Sequence, residues 1–378
     1  MAEDGRFSLK DHLFNADSLG TLAAEFAAGV PGFDAALFLS EVLPGLPARE
    51  LKDRLEWIAD RVAVQLADDF PTMADQLEAA MPPPLDPTLR DDDFGRFIHA
   101  VPGILAVRHG RDAAHLPRAL DLIEAATQRF SMEFYIRPFL NAFPDAVMAR
   151  LRDWAGHDNY HVRRLVSEGT RARLPWARKI EADPLSMLPL LDALHADPTR
   201  YVTRSVANHL NDLAKIDADL VLDRLASWKR AGRQDPRELD WMTRHALRTL
   251  VKQGHPRAMR ALGYRPDAPV TLAKLSLDPP APRIGGRTSL TVTLGAAEPT
   301  PVLVDYIIWF KRPGGSEIAK VHKIKQAVIA PDAPLILTKT HVFKADATTY
   351  TLVAGAHRLA VQVNGRILAE TTFDLLAG

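Results

Sequence analysis

The segment Val202-Thr203-Arg204-Ser205-Val206-Ala207-Asn208-His209-Leu210-Asn211-Asp212 decides the fold, because its pattern returns along the chain. Aligning four arginines, Arg137, Arg164, Arg204 and Arg244, gives steps of 27, 40 and 40 residues. Two and six positions after these anchors stand Phe139, Val166, Val206 and Ala246, then Phe143, Thr170, Leu210 and Leu250, mostly apolar. Four and eight positions after them stand Asn141, Glu168, Asn208 and Arg248, then Asp145, Ala172, Asp212 and Lys252, mostly polar. At about 100° per residue, offsets 0, +4 and +8 share one helix face and offsets +2 and +6 the opposite one. Each unit therefore buries one face and presents a polar stripe. A period near 40 with two helices per unit is the signature of HEAT-like repeats, which stack into a curved solenoid whose equivalent helices line one groove. The step of 27 marks either a compressed unit or a break in the register.

Upstream, Leu22 and Phe26, then Leu51, Leu55, Ile58, Val62 and Leu66, keep helical spacing and predict short helices over 8–80. Met81-Pro82-Pro83-Pro84-Leu85-Asp86-Pro87 is a connector, since proline lacks the amide donor and restricts its predecessor. Asp91-Asp92-Asp93 is read as a solvated helix start, because consecutive helical residues diverge too far to converge on one ion. After about 268, β-branched residues alternate with polar ones. Candidate strands are Thr271–Leu277, Ser289–Leu294, Leu303–Phe310, Glu317–Lys325, Leu335–Val342, Gly355–Val363 and Arg366–Leu375, with Gly285-Gly286, Pro313-Gly314-Gly315 and Asn364-Gly365 as turns. Seven short strands suit an immunoglobulin-like sandwich. The expected architecture is mainly α: a HEAT-like α-solenoid over 1–268, acidic and helical in 1–100 with the repeats in 101–268, followed by an all-β immunoglobulin-like sandwich over 269–378.

The chain has 378 residues and no cysteine, which excludes disulfide scaffolds, thiolate metal sites and cysteine nucleophiles. Its start has no basic-then-apolar leader and no stretch approaches a membrane span, so a cytoplasmic protein without membrane contact is expected. Net charge is zero, yet it is unevenly spread: 8 Lys/Arg against 19 Asp/Glu in residues 1–100, 27 against 20 in 101–270, and 12 against 8 in 271–378. The first quarter would be repelled by phosphate, whereas the rest can meet a polyanion.

Three carboxylates fall among the cations of the groove. Glu133 lies four before Arg137, Glu168 four after Arg164, and Asp212 eight after Arg204. Read as helix-surface ion pairs they contribute about 0.2–0.5 kcal/mol each; read as functional groups they are suited to a developing positive charge. His157 and His161 have the i,i+4 spacing of metal ligands, but no third ligand follows and surface or capping roles are the stronger reading. Trp154, Tyr160 and Trp241 read as packing between repeats, whereas Trp176, after Leu174-Pro175, is placed at the groove's rim, where an aromatic face can meet a cationic base.

The segments Phe130-Ser131-Met132-Glu133-Phe134-Tyr135-Ile136-Arg137-Pro138-Phe139, His161–Ala177 (with Arg171-Ala172-Arg173-Leu174-Pro175-Trp176-Ala177 the most specific part) and Val202–Asp212 resemble the AlkC family of DNA alkylation repair glycosylases, as does the opening Lys10-Asp11-His12-Leu13-Phe14-Asn15. The resemblance covers nearly the whole chain. It implies a solenoid that removes N3-alkylated bases from double-stranded DNA, chiefly 3-methyladenine with 3-methylcytosine as a second candidate, without full extrusion of the nucleotide. It implies catalytic roles for Glu133 and Glu168, with Trp176 as aromatic neighbour and Asp212 as a weaker candidate. Arg137, Arg163, Arg164, Arg171, Arg173, Arg204, Asn208, Arg244, Arg248 and Lys252 are the expected DNA contacts. No metal or other cofactor is required and a monomer is expected. The alternative reading is a non-catalytic HEAT-repeat scaffold that binds DNA or protein.

Overall fold

The computed structural model describes residues 8–91, 94–345 and 351–378. Two compact units divide the chain: one runs to Ile216 and includes Ser227–Ala246, the other comprises Asp217–Ala226 and Leu247–Gly378. The helices Arg248–Lys252 and Pro256–Ala261 therefore belong with the strands, although helix gives way to strand only at Val270. Among the described residues, no helix is long and apolar enough to cross a membrane.

Among the described residues, the regular elements of the first unit are helices, beside one isolated antiparallel bridge between Gly95 and Phe130. The early spacing becomes the helices Ala16–Gly29, which buries Leu22 and Phe26, and Leu51–Ala63, which buries Leu55, Ile58 and Val62. Asn15 and Ser18 bond reciprocally across the start of the first of these, satisfying two of the amide donors that a helix leaves open. The proline connector is irregular. The expected helix start at the aspartate run is a correction: Asp91 sits in a bend, the next helical turn begins at Phe97, and Asp92 and Asp93 lie outside the described residues. Part of the acidic excess is consumed internally, since Arg108 pairs with Glu56 and Asp60, and Arg118 with Asp75 and Glu78.

The four anchor arginines fall in the helices Ile136–Ala142, Tyr160–Gly169, Arg200–Leu213 and Pro236–Ala246. The last three pack side by side in chain order, the relation that equivalent helices of stacked repeats require. Ile136–Ala142 has only 7 residues and abuts Pro144–Trp154, whereas residues 170–183 separate Tyr160–Gly169 from the next helical turn, so the short first step reflects mainly a missing connector. In the central helix, only Arg204 and Asn208 between Tyr201 and Ala214 are partly exposed, which is the i,i+4 stripe that the repeat pattern requires.

Among the described residues, the second unit carries seven strands: β1 (Val270–Asp278), β2 (Arg287–Ala296), β3 (Thr300–Lys311), β4 (Glu317–Ile329), β5 (Leu335–Val342), β6 (Gly355–Val363) and β7 (Arg366–Leu375). They form a three-stranded sheet, β1-β2-β5, and a four-stranded sheet, β4-β3-β6-β7, with antiparallel pairing throughout. Leu290, Val292 and Leu294 of β2, the alternate residues Val302 to Phe310 of β3, and Leu359, Val361 and Val363 of β6 form the shared core. Apolar alternation at period two sets which residues face inward. Val363 pairs directly with Arg366, and Asn364 and Gly365 both have positive φ (49° and 83°), the two-residue turn that this dipeptide favours. Asn364 is buried: its Oδ1 accepts from the Leu303 amide at 2.8 Å and its Nδ2 donates to the carbonyls of Arg265 and Pro301. Asn364→Ala strands these groups and places a β-carbon residue at positive φ without compensation. It is expected to destabilise the sandwich by about 3 kcal/mol, read by urea denaturation followed at the sheet's circular dichroism band.

Candidate active site

A cleft of about 920 Å³ opens in the helical unit. One wall comes from the amino-terminal residues His12, Leu13, Asn15, Asp17 and Ser18, and the other from the repeat helices through Arg164, Glu168, Tyr201, Arg204 and Asn208. Glu133 lines it from the turn that precedes Ile136–Ala142. The first wall includes the helix Leu9–Leu13, which buries none of its own residues. That helix is fastened by Arg54, a buried guanidinium that donates to Asp11 at 2.6 Å and to the carbonyls of Lys10 and Phe14.

Charges alternate along the repeat wall. Arg164 Nη1 donates to Glu133 Oε2 at 2.7 Å and to Ser131 Oγ at 2.6 Å, and its Nη2 lies 3.8 Å from Glu168 Oε2. Ser205 Oγ donates to Glu168 Oε2 at 2.7 Å, and Arg171 Nη1 donates to Glu168 Oε1 at 2.6 Å. Arg171 then reaches Asp212 Oδ2 at 2.9 Å, and Lys215 reaches the other oxygen at 3.1 Å. The Arg164 guanidinium also lies over the Tyr201 ring, 4.6 Å from its centroid. Three carboxylates are thus interleaved with three cations, so charges that burial would otherwise disfavour are mutually compensated. Burial works against the Glu168 charge, but Arg164, Arg171 and the Ser205 hydroxyl outweigh it and hold the carboxyl below the usual carboxylate range. Burial likewise opposes the Arg164 charge, and Glu133 and Glu168 reverse the effect. His209, behind Glu168, is pushed down to about 4 by burial and by Arg171, so it is neutral at physiological pH.

The two glutamates are not equivalent. Both oxygens of Glu168 are engaged and the residue is buried, whereas Glu133 keeps Oε1 free of hydrogen bonds among the described residues and is partly open to the cleft. Trp176 stands at the rim with 68% of its surface exposed. Its φ of 67° is a left-handed conformation that costs a bulky residue about 1–2 kcal/mol. Lys52 Nζ donates to its carbonyl at 2.8 Å, from 124 residues away, and helps hold that backbone in place. Strain concentrated at one exposed aromatic on a cleft rim points to a role for the indole rather than for the fold.

Several expectations need correction. Glu133 does not pair with Arg137 along a helix, because the helix begins only at Ile136; its partner is Arg164, from a different helix. Arg137 is not on the groove stripe: it is 1% exposed and donates to the carbonyls of Gly169, Arg171 and Arg178. Arg163 points away from the cleft to Asp197 and to the carbonyls of His157 and Asp158. Asp212 does not line the cleft; it lies buried behind Arg171. Arg164 and Arg171 line the cleft but are committed to carboxylates, so their cation is spent on the chain of charges. Arg204 and Asn208 do line it, Arg204 paired to Asp91 and Asn208 bonded to His245. Arg173 and Arg244 are exposed in the helical unit, whereas Arg248 and Lys252 belong to the second unit.

Trp154, Tyr160 and Trp241 pack as expected; Trp241 stacks on His245 beneath Arg200. His157 and His161 do not converge: His157 accepts the Asn159 amide ahead of the helix that carries buried His161. Sequence reasoning missed Ser131, Ser205 and Tyr201, and the amino-terminal wall. Tyr201 and Ser205 carry a signal, since they share an i,i+4,i+7 face with Asn208, which the repeat pattern places in the groove beside Arg204.

Residues 271–377 match the family described as "Uncharacterised protein YhaZ, C-terminal Ig-like domain". The chain is 31% identical over 369 residues to the uncharacterized protein YhaZ of Bacillus subtilis (strain 168), an alignment that spans 96% of this chain and 98% of that one. Its fold is similar to the solved structure of Pseudomonas fluorescens alkylpurine DNA glycosylase AlkC bound to DNA containing an abasic site analog, with TM-score 0.86, 32% identity, and coverage of 98% of this chain and 99% of the other.

Proposed function

Since the chain belongs to the AlkC family, with its carboxy-terminal immunoglobulin-like domain, we propose that it is a monofunctional DNA glycosylase that hydrolyses the N-glycosidic bond of N3-alkylated bases, chiefly 3-methyladenine and also 3-methylcytosine, in duplex DNA and leaves an abasic site. The observation that carries the reading is the pair of glutamates Glu133 and Glu168, clamped about Arg164 in a cleft with an exposed tryptophan at its rim. A wall that serves only to bind phosphate has no use for carboxylates.

The chemistry follows from the lesion. N3 alkylation leaves the base cationic, so it departs as a neutral molecule and needs no strong general acid. As the bond breaks, the anomeric carbon gains oxocarbenium character, and fixed negative charge stabilises it. Glu168, with every oxygen held, supplies a preorganised anion, and Glu133, with Oε1 free, orients the attacking water. The Trp176 face receives the cationic base or the adjacent deoxyribose. Arg171 and Asp212 act as positioning residues, since Asp212 meets the site only through Arg171.

Incubation of the purified protein with methylated duplex DNA, with chromatography of the soluble fraction, tests the reading. Free 3-methyladenine is expected, whereas a binding scaffold retains the DNA and releases nothing. Exposed Arg244 and cleft-lining Arg204 are proposed to contact backbone phosphates. Arg204→Ala/Arg244→Ala is then expected to reduce the log–log salt slope of duplex binding by about 2, measured by fluorescence anisotropy, and an unchanged slope removes both from the interface.

A further inference from the structure

Adjoining the cleft at Leu174 and Pro175, which line both, a second concavity of about 330 Å³ is lined by Arg137, Arg173 and Lys179. Among the described residues, no Asp or Glu lines it. Arg137 is unusual there, because a guanidinium that is 1% exposed ordinarily has a carboxylate partner, and this one has none among the described residues. Its three hydrogen bonds among the described residues all go to backbone carbonyls, from Nε and Nη1. Burial and nearby Arg171 push its pKa down to about 10 against the opposing pull of Glu133 and Glu168, still well above physiological pH, so the guanidinium stays charged although no carboxylate bonds to it among the described residues. Arg173 and Lys179 are exposed and form no ion pair among the described residues. Three cations in a concave surface without an acid form a site for a compact polyoxygen anion, and a guanidinium fork matches phosphate geometry.

We infer that this cup is a phosphate-binding subsite, occupied by a backbone phosphate of DNA close to the nucleotide in the cleft. Leu174 and Pro175 line both the cup and the cleft, so a phosphate held in the cup is tied through this segment to the position of the adjacent Trp176. The chemistry of the cup stands on its own residues; its assignment to DNA rests on the proposed function.

The test uses Arg173→Ala/Lys179→Ala in the full chain, both side chains being exposed and without an ion pair among the described residues; the Lys179 carbonyl, which accepts from Asn141 Nδ2, is kept by the substitution. Duplex binding by this variant is expected to show a salt slope smaller by about 2. A walk of single neutral methylphosphonates along both strands is expected to reveal one position that weakens the wild type several-fold and the variant not at all. Separately, millimolar inorganic phosphate is expected to raise the melting temperature of the DNA-free wild type and not of the variant. Loss of that stabilisation with an unchanged salt slope assigns the cup to a free phosphate and overturns the DNA assignment. Unchanged salt slope together with unchanged phosphate stabilisation overturns the subsite altogether. A wild type that shows the methylphosphonate effect but excises no base retains the cup and defeats the glycosylase reading; excision without the effect defeats the cup alone.

Discussion

Glu168→Gln and Glu133→Gln are each expected to lower single-turnover excision about 10²–10³-fold, the scale of removing one preorganised electrostatic stabiliser. Glutamine preserves size and most hydrogen bonding while removing the charge that faces the oxocarbenium-like transition state. Duplex affinity should be equal or higher, since each change subtracts a negative charge from a surface that meets phosphate. The two variants should differ in stability. Glu168 is buried between Arg164 and Arg171, so neutralising it leaves two cations under-compensated, whereas Glu133 is partly open to solvent and its loss is milder. Rates normalised to folded protein, together with melting temperatures, separate a catalytic defect from an unfolding one. A glutamate serving only as a surface ion pair would cost a few tenths of a kcal/mol and leave excision intact.

Arg164→Met is expected to have the largest effect on stability, about 3–5 kcal/mol, because it removes one partner of a buried charge cluster and leaves Glu133 and Glu168 facing each other. The same change alters the pH profile. In the native chain Arg164 and Arg171 hold the Glu168 carboxyl below its unfolded value, so its stabilisation is fully present above the unfolded carboxylate pKa and is lost as pH falls through the folded one. Without Arg164, burial has less opposition and the folded pKa rises. The acid limb of both excision and stability should therefore move to higher pH in the variant, and Arg164→Lys, which retains the charge, should recover part of the shift. An acid limb that stays in place would mean that Arg164 does not set the charge of the pair.

Much of this site is legible in the sequence, and the rest is not, for identifiable reasons. The polar stripe on Arg200–Leu213 is legible because a long helix with one apolar face fixes its register, and Arg204 and Asn208 are its only partly exposed side chains between Tyr201 and Ala214. The pattern fails at Arg137, where the helix has only two turns and starts after Glu133: the same arginine type at an equivalent position is turned under the 169–178 segment. Arg163 and Arg164 are adjacent in sequence and point to different partners, Asp197 and Glu133, a separation that periodicity predicts only when it is known which of the two faces the core. The amino-terminal wall is illegible for another reason. Its acidity argues against a polyanion, yet part of that charge is neutralised within the fold, and His12 and Asn15 reach the cleft through tertiary contacts that no local pattern encodes. The seven strands of the sandwich are the opposite case. Alternation and turn chemistry fix each of them locally, and β5, β6 and β7 span Leu335–Val342, Gly355–Val363 and Arg366–Leu375, as the turn signals predict.

Single-turnover release of free base from a duplex bearing one 3-methyladenine, compared between the wild type and the Glu133→Gln/Glu168→Gln double variant at enzyme concentrations that saturate both, tests the central claim most directly. The wild type should release 3-methyladenine and leave an abasic strand that breaks only on alkaline treatment, while the double variant binds the same duplex and releases almost none. Near-wild-type release by the double variant would contradict the assignment of catalysis to these two carboxylates, and absence of release by the wild type would contradict the glycosylase reading itself.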